Sequence, residues 1–275
     1  MNSINTNVGA MQALQMLNAT SKELNATQAR ISSGLKIASA KDDASGWVMA
    51  QGQRAQIRAL DAVKESLSRN GSVVDVAMTA GESISDLLME LKEKALAASD
   101  PSLNTTARRA LNDDFVAIRN QIAQSIRNAT FNGVNLLNGS RTSIAALANA
   151  DGSDTLTVMA QNLSLGGSIL TLSSGAGFAS AMSAQGLIAT LDSSISNISV
   201  AMARLGASSR ALDRHTTFIG KLQDTLEVNV GRLVDADMAK ESSKLQALQL
   251  KQQLAIQTLS VANRSQSFLL QLFGR

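Results

Sequence analysis

Leu191, Ile198, Leu205, Leu212, Ile219, Leu226 and Leu233 recur at every seventh residue without a miss. A seven-residue apolar repeat draws one stripe along an α-helix, and that stripe has to be covered by a second helix running beside it. The positions three residues earlier, Ile188, Ile195, Met202, Ser209, Thr216, Gln223 and Val230, turn polar in their middle, so half of this seam is expected to be wet. A helix of about 46 residues runs roughly 70 Å. No compact domain hides such a rod alone, so the chain must supply a partner of similar length.

That partner is expected from about Ala44 to Ser99, where Leu60, Val63, Leu67, Val74, Ala77, Ile84, Leu88, Leu91 and Ala95 fall on one face. Gly71 and Gly81 lie inside it as expected weak points. The single proline, Pro101, disfavours helix for Asp100 before it and ends the rod. A shorter amphipathic run follows, with Leu111, Phe115, Ile118 and Ile122 on one face. The fold class expected is mainly α: long antiparallel coiled-coil rods. Aromatic residues are only 3% of the chain against 44% apolar, so the core between the rods must be aliphatic, with Trp47 as a packing anchor.

Between the rods the character changes. Phe131 to Gly139 contains two Asn-Gly pairs, and no charged residue occurs from Thr155 to Leu191. Thr155–Val158 alternates, Gly166-Gly167 signals a turn, and Ser168–Leu172 is expected as the return strand of a small β-hairpin. The two ends carry thinner stripes: Leu14, Leu17, Leu24, Ile31 and Leu35 at the start, broken by Ser21 and Gln28, and Leu245, Leu248, Leu259, Val261 and Ala262 among glutamines at the end. Helices with so little apolar area order only when packed against something else, such as other copies of the chain.

Reactive constellations are scarce. Cysteine is absent, and His215 is the only histidine, on the flank of the heptad rod where it is expected near water. A rod offers no pocket for a catalytic triad. Asp42-Asp43 and Asp113-Asp114 lack the alternating spacing of a calcium loop and are read as helix starts. Gly175-Ala176-Gly177 and Gly220-Lys221 resemble pieces of nucleotide loops, yet neither follows a strand and opens a helix. Charges of both signs are interleaved, with a net +3, so no basic stripe for nucleic acid exists. Neither a signal peptide nor a membrane span is visible. The reading is of a non-enzyme with no cofactor and no metal.

The stretch from Ile31 to Gly46 reads as a joint, in which Gly34 ends the first helix in a left-handed conformation and Asp42 or Asp43 caps the next. Together with Ile4-Asn-Thr-Asn7, Phe131-Asn-Gly-Val-Asn-Leu-Leu137, Ala203-Arg-Leu-Gly-Ala207 and Leu233-Val-Asp-Ala-Asp-Met-Ala239, this joint resembles bacterial flagellin. The resemblance covers both ends and both rods, and is to the short alphaproteobacterial type that lacks large outer domains.

It implies a subunit of the flagellar filament used for swimming. Residues 1–43 and 234–275 would pair as an inner-core helical domain, with 44–182 (rod helices and hairpin) and 183–233 (second rod) as an outer-tube domain. Leu14, Leu17, Leu24, Ile31, Leu245, Leu248 and Leu259 would be the inner packing contacts, Gly34, Asp42, Asp43 and Gly46 the joint, and the seven seam residues from Leu191 to Leu233 the rod contact. Implied partners are other copies of the chain, paralogous flagellins, the filament cap, hook-filament junction proteins and an export chaperone. The chain would leave the cell unfolded through the flagellar type III apparatus and reside in the extracellular filament. Where many flagellins carry an Arg and a Leu read by a vertebrate toll-like receptor, this chain has Glu90 and Lys94, which predicts weak recognition. The ending Arg264–Arg275 departs from the family pattern, and Ser and Thr between Ser140 and Ser183 are candidates for O-linked sugars. The alternatives are a hook-filament junction protein and a secreted coiled-coil effector or adhesin.

Overall fold

A computed structural model describes residues 6–273, with side chains placed up to Arg264; Ile4 and Asn5 of the first motif and the side chains of the divergent ending lie outside the described residues. The element order is α1 (Val8–Ser33), α2 (Ala44–Ala98), α3 (Thr105–Asn128), β1 (Ser143–Leu147), β2 (Thr155–Met159), α4 (Ala181–Val234) and α5 (Met238–Phe273). The chain forms two compact units: one takes the residues up to Ala55 together with those from Thr225 onward, and the other spans Gln56–Asp224.

In the second unit, α2 and α4 run antiparallel. Lys92 pairs with Asp192 at 2.6 Å, and the Gln223 amide donates to the Ile57 carbonyl at 3.2 Å and to Asp61 Oδ1 at 2.7 Å. All nine apolar positions read on the α2 face are buried, and burial of each large aliphatic side chain among them contributes about 1.5–3 kcal/mol. Helix α2 is continuous through both glycines. At Gly81 a methyl group would overlap the Met202 thioether, so the missing side chain is the space that Met202 fills; Gly71 faces open space.

The seam on α4 departs from expectation. Leu191, Ile198, Leu205, Leu212 and Ile219 are buried, but Leu226 and Leu233 are only half-buried, and Val230 and Val234 take their place. A straight helix drifts about 20° per heptad away from a strict seven-residue repeat, and the eleven-residue step from Ile219 to Val230 restores the line. The positions three residues earlier are half-buried in the upper rod, while Ser194 and Ala201, three residues later, are fully covered. The cause is a second neighbour: the Thr171 N–H donates to Ser194 Oγ at 3.2 Å, and the Asn197 amide donates to the Ile169 carbonyl at 3.2 Å.

Those bonds also explain why Ser168–Leu172 is not a strand. Its backbone groups are taken by α4 side chains, and Leu170 and Leu172 are sunk into the core. The hairpin instead pairs β1 with β2 antiparallel, Ser143 opposite Met159 and Leu147 opposite Thr155. It is fastened to both rods. The Leu147 N–H donates to Ser66 Oγ of α2 at 3.1 Å, and His215 Nε2 of α4 lies 2.7 Å from the Ala148 carbonyl. His215 is therefore half-buried and hydrogen-bonded to backbone rather than facing water.

Helix α3 starts at Asn104, whose Oδ1 accepts from the Ala107 N–H at 2.8 Å. Asp113 and Asp114 sit inside that helix and not at its start, because Pro101 and the Asn104 cap set the first turn earlier. Asn112 Oδ1 accepts from the Phe178 N–H at 2.7 Å, and Phe115 meets Phe178 edge-on with ring centres 5.2 Å apart. Gly175-Ala176-Gly177 is thus a strap across α3, pinned again by Arg119 to the Ala176 carbonyl.

Past α3, the Phe131–Val134 bridge closes a turn with Asn132 and Gly133 both at positive φ, 49° and 74°. This is the conformation that favours Asn-Gly. Asn135, only 3% exposed, then ties the helix end to the turn. Its Nδ2 donates to the Ile126 carbonyl at 2.7 Å, and its Oδ1 accepts from the N–H of Leu137 at 2.7 Å and of Asn138 at 3.1 Å.

Candidate functional site

Among the described residues no group of three His, Asp or Glu side chains is placed to hold a metal ion, and no helix is long and apolar enough to cross a membrane. The feature that stands out is the pair formed by α1 and α5.

Asn7 starts it, as an Asn directly before an apolar-periodic run should. Its Oδ1 caps α1 by accepting from the Ala10 N–H at 2.9 Å, and its Nδ2 donates to the Ala262 carbonyl of α5 at 3.0 Å. Further along, the Gln252 amide donates to Ser21 Oγ at 3.3 Å, and Arg30 meets Glu241 at 3.5 Å. The partners rise on α1 as they fall on α5, so the helices are antiparallel. Ser21, an interruption in the apolar stripe, thus serves as a polar fastening.

The seam between them is narrow. Of the seven residues expected at inner packing contacts, Leu24 and Leu248 are buried, Leu17, Ile31, Leu245 and Leu259 are half-buried, and Leu14 is 48% exposed. Ala13 and Thr27 complete the covered face of α1. Val8, Met11, Leu14 and Met16 on α1, and Leu250, Leu254, Ile256 and Val261 on α5, stay exposed. So much apolar surface on two thin helices marks an interaction surface. The stripes read from sequence found the internal seam. They missed most of the exposed set, which interrupts no period and shows only as an excess of Met, Leu and Ile on the polar face.

The same unit holds the joint. Gly34 sits at φ 71° and closes α1, its N–H donating to the Arg30 carbonyl at 2.9 Å. Two backbone rungs then link the ascending and descending chains. The Lys36 and Ile37 N–H groups donate to the Val234 carbonyl at 2.7 and 3.2 Å, and the Ala236 N–H donates to the Gly34 carbonyl at 2.8 Å. Asp43 Oδ1 caps α2 by accepting from Ser45 and Gly46 at 3.0 and 3.1 Å, and Asp237 Oδ1 does the same for α5 with Ala239 and Lys240 at 3.0 and 3.1 Å. Gly46 is buried, and a Cβ there would lie 2.7 Å from Ile37 Cδ1.

Asp42 does not cap α2 but closes the turn before it, accepting from the Ser39 N–H at 2.9 Å and hydroxyl at 3.0 Å and the Ala38 N–H at 3.2 Å. The Ser39 backbone N–H, followed by its hydroxyl, holds this carboxyl below the usual carboxylate range. The pH dependence follows from that sign. The folded value lies below the unfolded one, so the turn's stabilisation is complete above the ordinary carboxylate value and is lost as pH falls through the lowered one. The protection of the Ser39 amide, its exchange rate referred to the intrinsic rate at each pH, should therefore fall on acidification, and in Asp42→Asn that pH step should be absent.

Glu90 and Lys94 lie on α2 in the other unit. Glu90 is exposed, and Lys94 is half-buried with its Nζ 3.2 Å from Asp114 Oδ2 of α3.

Comparison with known proteins matches this arrangement. The family profile for the bacterial flagellin N-terminal helical region covers residues 4–142, and that for the bacterial flagellin C-terminal helical region covers residues 188–273. The chain is 53% identical over 273 residues to flagellin FljK of Caulobacter vibrioides and 36% identical over 282 residues to a flagellin of Brucella melitensis, each match covering 99% of both chains. Among solved structures, a protein described as a flagellar hook-associated protein of Vibrio parahaemolyticus shares the fold, with a TM-score of 0.59 at 14% identity over 70% of this chain and 100% of that one.

Proposed function

Because the chain belongs to the bacterial flagellin family, whose members polymerise into the flagellar filament, we propose that its α1–α5 pair is the surface on which copies pack in that polymer. It is a structural subunit of the filament, an extracellular appendage, and not an enzyme. The observation that carries the packing assignment is the double row of exposed apolar residues on both terminal helices. These residues are stable in water only at a cost that burial against another copy removes.

On this reading residues 1–43 and 234–275 make the inner-core domain, and 44–182 with 183–233 make the outer tube. Gly34, Asp42, Asp43 and Gly46 hold the joint between the layers. Leu14 and the exposed Met and Leu residues contact neighbouring copies, while Leu24 and Leu248 hold the pair together. The rod seam from Leu191 to Ile219 is structural within the outer tube. The chain is secreted through the flagellar type III apparatus, held beforehand by a chaperone on α5, adds beneath the filament cap, and follows the hook-filament junction proteins. Several similar flagellins occur together in Caulobacter vibrioides, which supports filaments of mixed paralogues.

Electron microscopy of filament fragments mixed with purified subunits tests the assignment. The intact chain should extend the fragments, and a chain lacking residues 1–35 should not. Extension by the truncated chain would remove α1 from the mechanism.

The second proposal concerns Glu90 and Lys94. An acidic side chain, and a lysine already engaged by Asp114, replace a basic and an apolar anchor on the receptor-facing surface, a combination that disfavours binding. In a toll-like receptor reporter-cell assay this protein should be a weak agonist, and Glu90→Arg with Lys94→Leu should raise its potency by at least about tenfold, the effect of one restored anchor. Full potency of the unaltered chain would refute the assignment.

A further inference from the structure

Sulfur in this chain occurs only in methionine, with ten Met and no Cys. Met11 and Met16 lie on α1, 57% and 67% exposed, with Met16 on the flank that borders α5. Met16 lines a groove of about 380 Å³ with Ala13, Leu254, Ala255 and Lys251, while Met11 keeps company with Val8 and Leu14. Both thioethers are thus open to solvent in the single subunit and belong to the surface assigned above to packing.

We propose that Met11 and Met16 form an oxidation-sensitive site: a peroxide reaches both sulfurs in the free subunit, and their conversion to sulfoxide stops that subunit from joining the filament. The proposal rests on the assignment of the α1–α5 pair as the packing surface. In the reaction a sulfur lone pair attacks one oxygen of hydrogen peroxide. The S–O bond forms, the O–O bond breaks, and proton transfer to the departing oxygen gives water; the sulfur loses two electrons and the peroxide gains them. The product is a polar, strongly accepting group on a side chain that has to be buried. Around Met11 the Val8 and Leu14 side chains offer it no donor, and burying an unpaired polar group is costly. Thr20, Lys251 and Thr258, which line the groove with Met16, could satisfy at most the sulfoxide of Met16. The site also protects itself, because a neighbouring copy that covers α1 removes both sulfurs from the peroxide.

Other exposed methionines set the control. Met89, Met159 and Met182 in the unit spanning Gln56–Asp224, and Met49 and Met238 in the unit that holds α1, are open to the same reagent, so total oxidation does not by itself predict the outcome.

The test treats full-length subunits with hydrogen peroxide, maps the added oxygen by peptide mass spectrometry, and follows extension of filament fragments by light scattering. Untreated subunits should extend the fragments. Subunits oxidised at both sites should grow at least about tenfold more slowly, as expected when polar groups enter an apolar interface, and methionine sulfoxide reductases with a thiol reductant should restore growth. The Met11→Leu, Met16→Leu double variant should keep its growth rate after treatment although Met89, Met159 and Met182 carry oxygen. In assembled filaments both α1 sulfurs should escape oxidation. Unchanged growth of subunits shown to carry both sulfoxides, or equal inhibition of the double variant, would overturn the oxidation site and leave the packing assignment intact. Failure of untreated subunits to extend the fragments would overturn the packing assignment itself.

Discussion

Asn135→Ala should lower the unfolding free energy of the chain by about 3 kcal/mol, because the substitution removes hydrogen bonds in a place that water does not reach. The side chain donates to the Ile126 carbonyl and accepts from Leu137 and Asn138. Alanine strands the Ile126 carbonyl at the end of α3 and the Leu137 N–H beside two fully buried leucines, Leu136 and Leu137. Asn135→Asp separates the two halves of the role. It keeps the acceptor and loses the donor, and it sets a carboxylate oxygen against the Ile126 carbonyl, so it should also destabilise. Urea unfolding followed by circular dichroism gives the size of the loss. Amide exchange at Leu137 and Asn138 gives its place: both should quicken in Asn135→Ala, while only the α3 end should loosen in Asn135→Asp. An Asn135→Ala chain with an unchanged urea midpoint would show that the helix end is held by something else.

The second large effect is expected at Gly81. The Met202 side chain occupies the volume that any side chain at 81 would need. Gly81→Ala brings opposed changes, a better helix former worth about 1 kcal/mol and displacement of a flexible thioether, and should come out near neutral. Gly81→Leu adds volume that cannot be accommodated and should cost about 3 kcal/mol, at the upper end for overpacking. Met202→Ala alone leaves a gap and should cost about 2 kcal/mol, because Met202 is only half-buried. The double variant moves the apolar volume from α4 to α2. It should therefore be more stable than the sum of the two losses by about 1–3 kcal/mol, the coupling typical of residues in contact. Strict additivity would mean that the two side chains do not share one space.

These two positions mark what a sequence alone conceals. Periodicity made α2 legible down to individual residues, since Leu60 through Ala95 answer to one face of one helix and every one is buried. It made the upper part of α4 legible for the same reason, and lost it after Ile219. A strict seven-residue count ignores the slow rotation of a real helix, and Val230 and Val234 were the residues that faced inward. Composition located the hairpin region but not its pairing. Thr155–Met159 was a strand as its alternation suggested, yet its partner was Ser143–Leu147, while the more apolar Ser168–Leu172 was drawn onto α4 by Ser194 and Asn197. Asn135 and Gly81 carry no periodic signal at all, because each is defined by a neighbour far away in the chain or on another element. The terminal helices were legible as thin stripes, and the joint as a Gly and two Asp in the right order. The exposed apolar row on α1 and α5 was not, since nothing within the chain covers it and no period of the chain therefore marks it.

The β1–β2 hairpin ends in a self-closed turn. Its turn, from Asn149 to Ser153, is closed from within by the Ala148 N–H donating to the Asp154 carbonyl at 3.0 Å and by Gly152 at φ 69°. Just ahead of that turn, adjacent backbone groups at Leu147 and Ala148 are held by side chains of two different helices. A foreign peptide spliced into the tip would thus enter between fixed ends, where the entropy of a longer loop grows only as the logarithm of its length. The tip is a ready port for display: the chain can carry new cargo there while every helix keeps its register.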